Sequence, residues 1–85
     1  MLESKLQSKI IKKLELNGFY VIKLIKTSKN GIADLIAFKD GKTTFIEVKQ
    51  PKGVVSELQK LRKKQLEEQG FEYKIWIDYN VDYNL

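Results

Sequence analysis

Asp40-Gly41 is the feature that most narrows the folds open to this chain. An Asp-Gly pair between two apolar, β-rich segments is a strong hairpin signal, because both turn positions favour a positive φ. The flanking segments run from Ala33 to Phe38 (ADLIAF) and from Thr43 to Gln50 (TTFIEVKQ). A turn centred on Asp40-Gly41 also sets the register, so that Phe38 faces Thr43 and Asp34 faces Glu47. A two-residue and a four-residue loop give the same pairing.

The rest of the chain reads around this hairpin. Leu2, Leu6, Ile10 and Leu14 recur every fourth residue with Ile11 beside them, and Lys5, Lys9, Lys12 and Lys13 lie opposite. This pattern predicts an amphipathic helix over 2–17, stopped by Asn17-Gly18. Phe19 to Lys26 is aromatic and β-branched, hence a strand, and the polar run 27–31 is a loop. Pro51-Lys52-Gly53 breaks the sheet. Ser56 opens a second helix to about Gln69, with Gly70 as its cap. A last strand runs from Phe71 to Tyr79, with Tyr73, Ile75 and Ile77 on one face and Trp76 on the other; residues 80–85 are weakly patterned. The order α-β-β-β-α-β defines an α/β domain with a mixed four-stranded sheet flanked by two helices. The last strand is expected parallel to the third, joined through the crossover helix. Eighty-five residues make one domain, 1–85. A core this thin benefits from a partner subunit.

Composition removes most catalytic chemistries. The chain has no histidine and no cysteine. Ser-His-Asp triads, His or thiolate metal sites, thiol nucleophiles and disulfides are therefore excluded. Chemistry here must run on carboxylates, lysines and a hard cation that prefers oxygen. No apolar run is long enough to span a membrane, and the N-terminus lacks an apolar leader, so a cytoplasmic protein is expected. Lys and Arg number 16 against 11 Asp and Glu, a formal charge of +5. Only Arg62 is an arginine, which suits diffuse phosphate contact better than bidentate base reading. Solvated lysines that serve solubility alone fit the same composition.

Against this background a few residues resist a purely structural reading. Residues directly opposed in a hairpin have Cβ atoms roughly 4.5–5.5 Å apart on one face. Asp34 and Glu47 placed so would repel unless a cation lay between them, and a divalent metal is the natural one. Lys49 projects from the same face, two residues beyond Glu47. It could be a plain ion-pair partner, could orient or deprotonate a water, or could neutralise phosphate charge. Glu3 falls inside the apolar arc of the first helix, where it either partners the acids or simply sits in a fraying first turn. Ser4-x-x-Gln7 and Ser56-x-x-Gln59 both match a capping box, which gives each Gln a local structural role. Trp76, with Tyr79 and Tyr83, could stack on bases, although packing or a subunit contact is the commoner use.

Taken together, Glu3, Gly31-Ile32-Ala33-Asp34, Glu47-Val48-Lys49 and Gln59 resemble the PD-(D/E)XK nuclease superfamily, and within it the virus-type replication-repair nuclease domain, VRR-NUC. The resemblance covers residues 3–70 in the same element order. It departs at Ala33, where the family usually has Pro. The restriction-endonuclease-like αβββαβ core is what the resemblance implies for the fold. For the site it implies Mg²⁺ or Mn²⁺ held by Asp34, Glu47 and the main-chain carbonyl of Val48. Lys49 would position or activate the attacking water, Glu3 would complete the outer coordination, and Gln59 would orient Lys49 or the scissile phosphate. Stand-alone members of this size are phage proteins associated with homodimers that cut branched DNA such as four-way (Holliday) junctions. The lysines of the first helix, with Lys26, Lys29, Lys52 and Lys60, could line the duplex arms. The competing reading is a non-catalytic basic DNA-binding module that retains the nuclease fold.

Overall fold

A computed structural model describes residues 3–77. Six elements follow the expected order: α1 (Glu3–Leu16), β1 (Tyr20–Lys23), β2 (Leu35–Lys39), β3 (Lys42–Lys49), α2 (Glu57–Glu68) and β4 (Glu72–Ile77). They build one mixed sheet of order β1-β2-β3-β4. The first three strands form an antiparallel meander, and α2 carries the chain across so that β4 runs parallel to β3.

The hairpin forms as the Asp-Gly signal requires. Lys39 pairs with Lys42, and Asp40 (φ 52°) and Gly41 (φ 78°) between them both take the positive φ of a tight two-residue turn. The expected register holds from Phe38↔Thr43 to Leu35↔Ile46. At its far end the ladder departs from the expectation that Asp34 directly faces Glu47. Asp34 lies just outside β2, and its N–H donates to the Ile46 carbonyl (3.0 Å). β1 is also shorter than the expected 19–26. It pairs only as far as Lys23↔Leu35, with one further bond from Leu24 N–H to the Asp34 carbonyl (2.8 Å). A strand cannot outrun the partner that supplies its hydrogen bonds, and here that partner ends at Leu35.

Strand alternation sorts the sheet into two faces. Leu35, Ala37, Ile46, Val48 and Trp76 point to one face and meet Leu6, Ile10 and Leu14 of α1. Leu6, Ile10 and Leu14 are essentially fully buried, each contributing roughly 1.5–3 kcal/mol of hydrophobic stabilisation. Trp76 is therefore a packing residue; Tyr79 and Tyr83 lie outside the described residues. α1 is held at its C-terminus by Lys39, whose Nζ donates to the Asn17 carbonyl (2.9 Å) while lying over the Phe19 ring. The capping box expected at Ser4-x-x-Gln7 does not form, because Ser4 lies inside α1 and its carbonyl accepts the Ser8 hydroxyl. Gln7 is instead a buried polar residue beside Leu6.

α2 lies on the opposite face, packed along β4. Its capping box is complete: Ser56 Oγ accepts from Gln59 N–H (3.1 Å), and Gln59 Oε1 accepts from Ser56 N–H (3.0 Å). None of its residues is fully buried, so α2 covers only part of this face. Tyr20 and Ile22 on β1 stay exposed, with the Tyr20 ring 6.3 Å from that of Phe38. No helix among the described residues is long and apolar enough to cross a membrane.

Candidate active site

Four elements converge at one end of the sheet. Glu47 and Lys49 alternate with the core residues Ile46 and Val48 along β3, so they project to the α2 side. Glu47 is only 3% exposed. Asp34 enters from the loop before β2, and its Oδ2 accepts the Val48 main-chain N–H at 2.8 Å. Glu3 arrives from the first turn of α1. Carboxylate oxygens of Glu3, Asp34 and Glu47 all lie within 4.8 Å of one another, a cluster that could hold a metal ion.

Two donors converge on Glu47. Lys49 Nζ sits 3.3 Å from Glu47 Oε2, and Gln59 Nε2 donates to the same oxygen. The Gln59 amide thus serves two purposes at once. Its oxygen completes the helix cap, and its nitrogen holds the acid. Ser56-x-x-Gln59 predicts the capping role but not the bond to Glu47: the resemblance implies instead that Gln59 orients Lys49 or the scissile phosphate.

The electrostatics follow from burial. The Glu47 pKa is raised to about 7, first by desolvation and then by the nearby Asp34 charge, with Lys49 opposing. A buried acid beside a second acid costs free energy to ionise, and one cation does not fully offset that cost. The donor set is all oxygen, as a hard divalent ion requires. The residues present therefore fit such an ion.

A cleft of about 420 Å³ opens over the cluster, lined by Lys26, Lys29, Asn30, Asp34, Glu47 and Gln59. Its outer wall is the loop between β1 and β2. Tyr73, which sequence analysis treated only as a face residue, is buried on the Glu47 side of β4. Its hydroxyl is the only fully buried side-chain polar atom among the described residues without a hydrogen-bond partner. Burial and the charges of Glu47 and Asp34 push its pKa upward. Only tertiary packing could reveal that environment.

An αβββαβ core with an acid cluster at the open end of β2 and β3 defines a nuclease of the restriction-endonuclease-like class. The VRR-NUC domain model matches residues 2–76, and the chain belongs to that family. Among solved structures it is similar to one described as a VRR_NUC domain, with TM-score 0.79 and 22% identity over 91% of this chain and 85% of that one. A second, a VRR_NUC domain protein, gives TM-score 0.80 and 18% identity over 94% of this chain and 80% of that one. The fold is also that of Archaeoglobus fulgidus Hjc, a Holliday junction resolvase from an archaeal hyperthermophile. That match has TM-score 0.71 and 17% identity over 88% of this chain and 67% of the other. No curated protein sequence matches.

Proposed function

We propose that this nuclease domain is a Mg²⁺- or Mn²⁺-dependent DNA endonuclease, selective for branched DNA such as four-way junctions and acting as a homodimer. The observation that carries the reading is the mutual approach of the Glu3, Asp34 and Glu47 carboxylates with the Lys49 ammonium against Glu47. Asp34, Glu47 and the Val48 carbonyl would hold the metal, with Glu3 at the outer edge of the site. When bound, the ion supplies a Lewis acid for the phosphate oxygens and lowers the pKa of water.

The chain's own groups do the rest. Val48 N–H fixes the Asp34 carboxylate through Oδ2. Gln59 donates to Glu47 Oε2 and so restrains its carboxylate. Lys49, paired with Glu47, offers three N–H donors and no acceptor. That suits it to orient the attacking water and to stabilise charge on the phosphoryl oxygens. Water oxygen bonds to phosphorus and gives up a proton to solvent, the bond from phosphorus to the leaving sugar oxygen breaks, and a proton from solvent passes to that oxygen. Lys26 and Lys29 on the cleft wall would meet backbone phosphates.

The dimer reading rests on the partly bare sheet face around Tyr20, Ile22 and Phe38. A second copy would cover this face and bring a second site, which symmetric cutting of both strands requires. Resemblance to a resolvase fold supports the choice of branched substrate.

The test is cleavage of labelled linear duplex, single strand, flap, splayed arm and four-way junction in Mg²⁺ and Mn²⁺, with wild type and Lys49→Ala. Metal-dependent cutting of branched DNA, reduced by about 10²-fold or more in the variant, is expected. Junction binding without any cleavage would promote the non-catalytic DNA-binding module instead. Sedimentation of wild type against Tyr20→Lys checks the dimer, which the added charge should disrupt.

A further inference from the structure

Arg62 is the only arginine in the chain, and its half-buried side chain bridges the β1–β2 loop and its own helix. Nε donates to the main-chain carbonyl of Asn30 (2.9 Å), and Nη1 donates to Gln65 Oε1 (2.9 Å). One turn earlier on α2, Leu58 packs against Gly31. A Cβ at Gly31 would lie 2.9 Å from Leu58 Cγ, and Gly31 has φ +74°. Side chains at i and i+4 of one helix face therefore grip two consecutive loop residues.

Those loop residues belong to the cleft wall, together with Lys26 and Lys29, and they lead directly into Asp34. The loop between β1 and β2 has no regular structure. A connection that long is costly to hold in one shape and needs specific anchors. Between Leu58 and Arg62 sits Gln59, which holds Glu47. The first half of α2 thus secures both acids, Glu47 directly and Asp34 through the loop.

On the nuclease reading above, we infer that Arg62 is a positioning residue of the active site: through the Asn30 carbonyl it locks the wall bearing Lys26, Lys29 and Asp34 against α2. It acts on the protein's own backbone and makes no phosphate contact. The planar guanidinium reaches two acceptors in fixed directions. A lysine ammonium on a flexible stem keeps the charge but not that fork.

Wild type, Arg62→Ala and Arg62→Lys are compared by amide hydrogen exchange, by cleavage kinetics in Mn²⁺, and by the salt dependence of junction binding without divalent metal. Exchange at the two hydrogen-bonded amides that close the loop, Leu24 and Asp34, should rise about tenfold in both variants, the weight of one charge-assisted hydrogen bond, while β3 stays protected. The kcat should fall about tenfold in both, with KM within about twofold. The slope of log affinity against log salt should match wild type. Unchanged loop exchange, or full kcat in Arg62→Lys, overturns the clamp. A slope smaller by about one marks Arg62 as a phosphate contact and overturns it equally. Should Arg62→Ala fail to fold, Arg62→Lys decides alone. If wild type cleaves no DNA, the exchange measurement still decides the clamp, and the failure falls on the nuclease reading.

Discussion

The Val48 main-chain N–H donates to the Asp34 carboxylate at 2.8 Å, so the strand that carries Glu47 and Lys49 also fixes the second acid. β2 has already ended at that level, and the carboxylate takes the place of the missing ladder acceptor. An acid from the loop thereby becomes part of the sheet's hydrogen bonding.

Asp34→Asn and Asp34→Ala should therefore separate structure from chemistry. The asparagine keeps an acceptor for Val48 N–H and removes a charge beside Glu47, so metal-free stability should equal or exceed wild type. The alanine leaves a buried N–H unpaired, at a cost of about 1–3 kcal/mol. Wild type should gain thermal stability from Mg²⁺ or Mn²⁺, about 2.7 kcal/mol at a hundredfold excess over Kd, and both variants should lose that gain. Melting curves with and without metal check all three forms. An undiminished metal shift in Asp34→Asn would remove Asp34 from the metal site.

Glu47 makes stability depend on pH. Its folded pKa of about 7 lies above the ordinary 4.5, so the folded chain binds this proton more tightly than the unfolded one. The resulting stabilisation is complete below about pH 4.5 and is lost as pH rises to about 7. Integrated over that window it is on the order of 3 kcal/mol. Glu47→Gln should match wild type at pH 5 and melt higher at pH 8 in the absence of metal. Denaturant midpoints at the two pH values measure the difference, and equal midpoints at pH 8 would refute the buried repulsion.

Ser56 and Gln59 share a cap but not a role. Ser56→Ala should cost about 1 kcal/mol of stability through the lost cap, with little change in cleavage. Gln59→Ala keeps its main-chain bond to Ser56 Oγ but loses the reciprocal side-chain half of the box and frees the Glu47 carboxylate, so it should lower kcat by about tenfold or more beyond any stability effect. Paired melting and cleavage assays distinguish the two. Equal activity in both variants would leave Gln59 a capping residue only.

Tyr73→Phe removes a buried hydroxyl that has no hydrogen-bond partner among the described residues. An unpaired buried polar group is a cost rather than a gain, so the variant should be as stable as wild type or more stable, by up to about 1–3 kcal/mol. A clear loss of stability on chemical denaturation would mean that the hydroxyl bonds a buried water.

Much of this architecture was legible in the chain. The Asp40-Gly41 turn set the β2–β3 register because its backbone demand is local. Helix and strand types followed from periods of four and two. Asp34 and Glu47 stood out as acids on one hairpin face, and Lys49 as their neighbour on it. Glu3 had an equal local reading and Gln59 read first as a cap, so only the family resemblance drew these two to the site. Where β1 stops and where Asp34 leaves the ladder were not legible, since strand length depends on a partner's hydrogen bonds. The same holds for Trp76, assigned to the core only once α1 packs on its face.

What the sequence determined by itself was therefore the order of elements and the hairpin, with the charged residues near its open end left as candidates. Tertiary structure decided that one Gln59 amide both completes the α2 cap and holds Glu47, that Arg62 meets the backbone of a loop, and that the buried Tyr73 hydroxyl has no hydrogen-bond partner among the described residues. Local signals arise from residues a turn or a pleat apart, whose geometry the backbone imposes directly. Arg62 and Asn30, or Gln59 and Glu47, meet only after the crossover has laid α2 over the sheet, and no short-range pattern carries that distance.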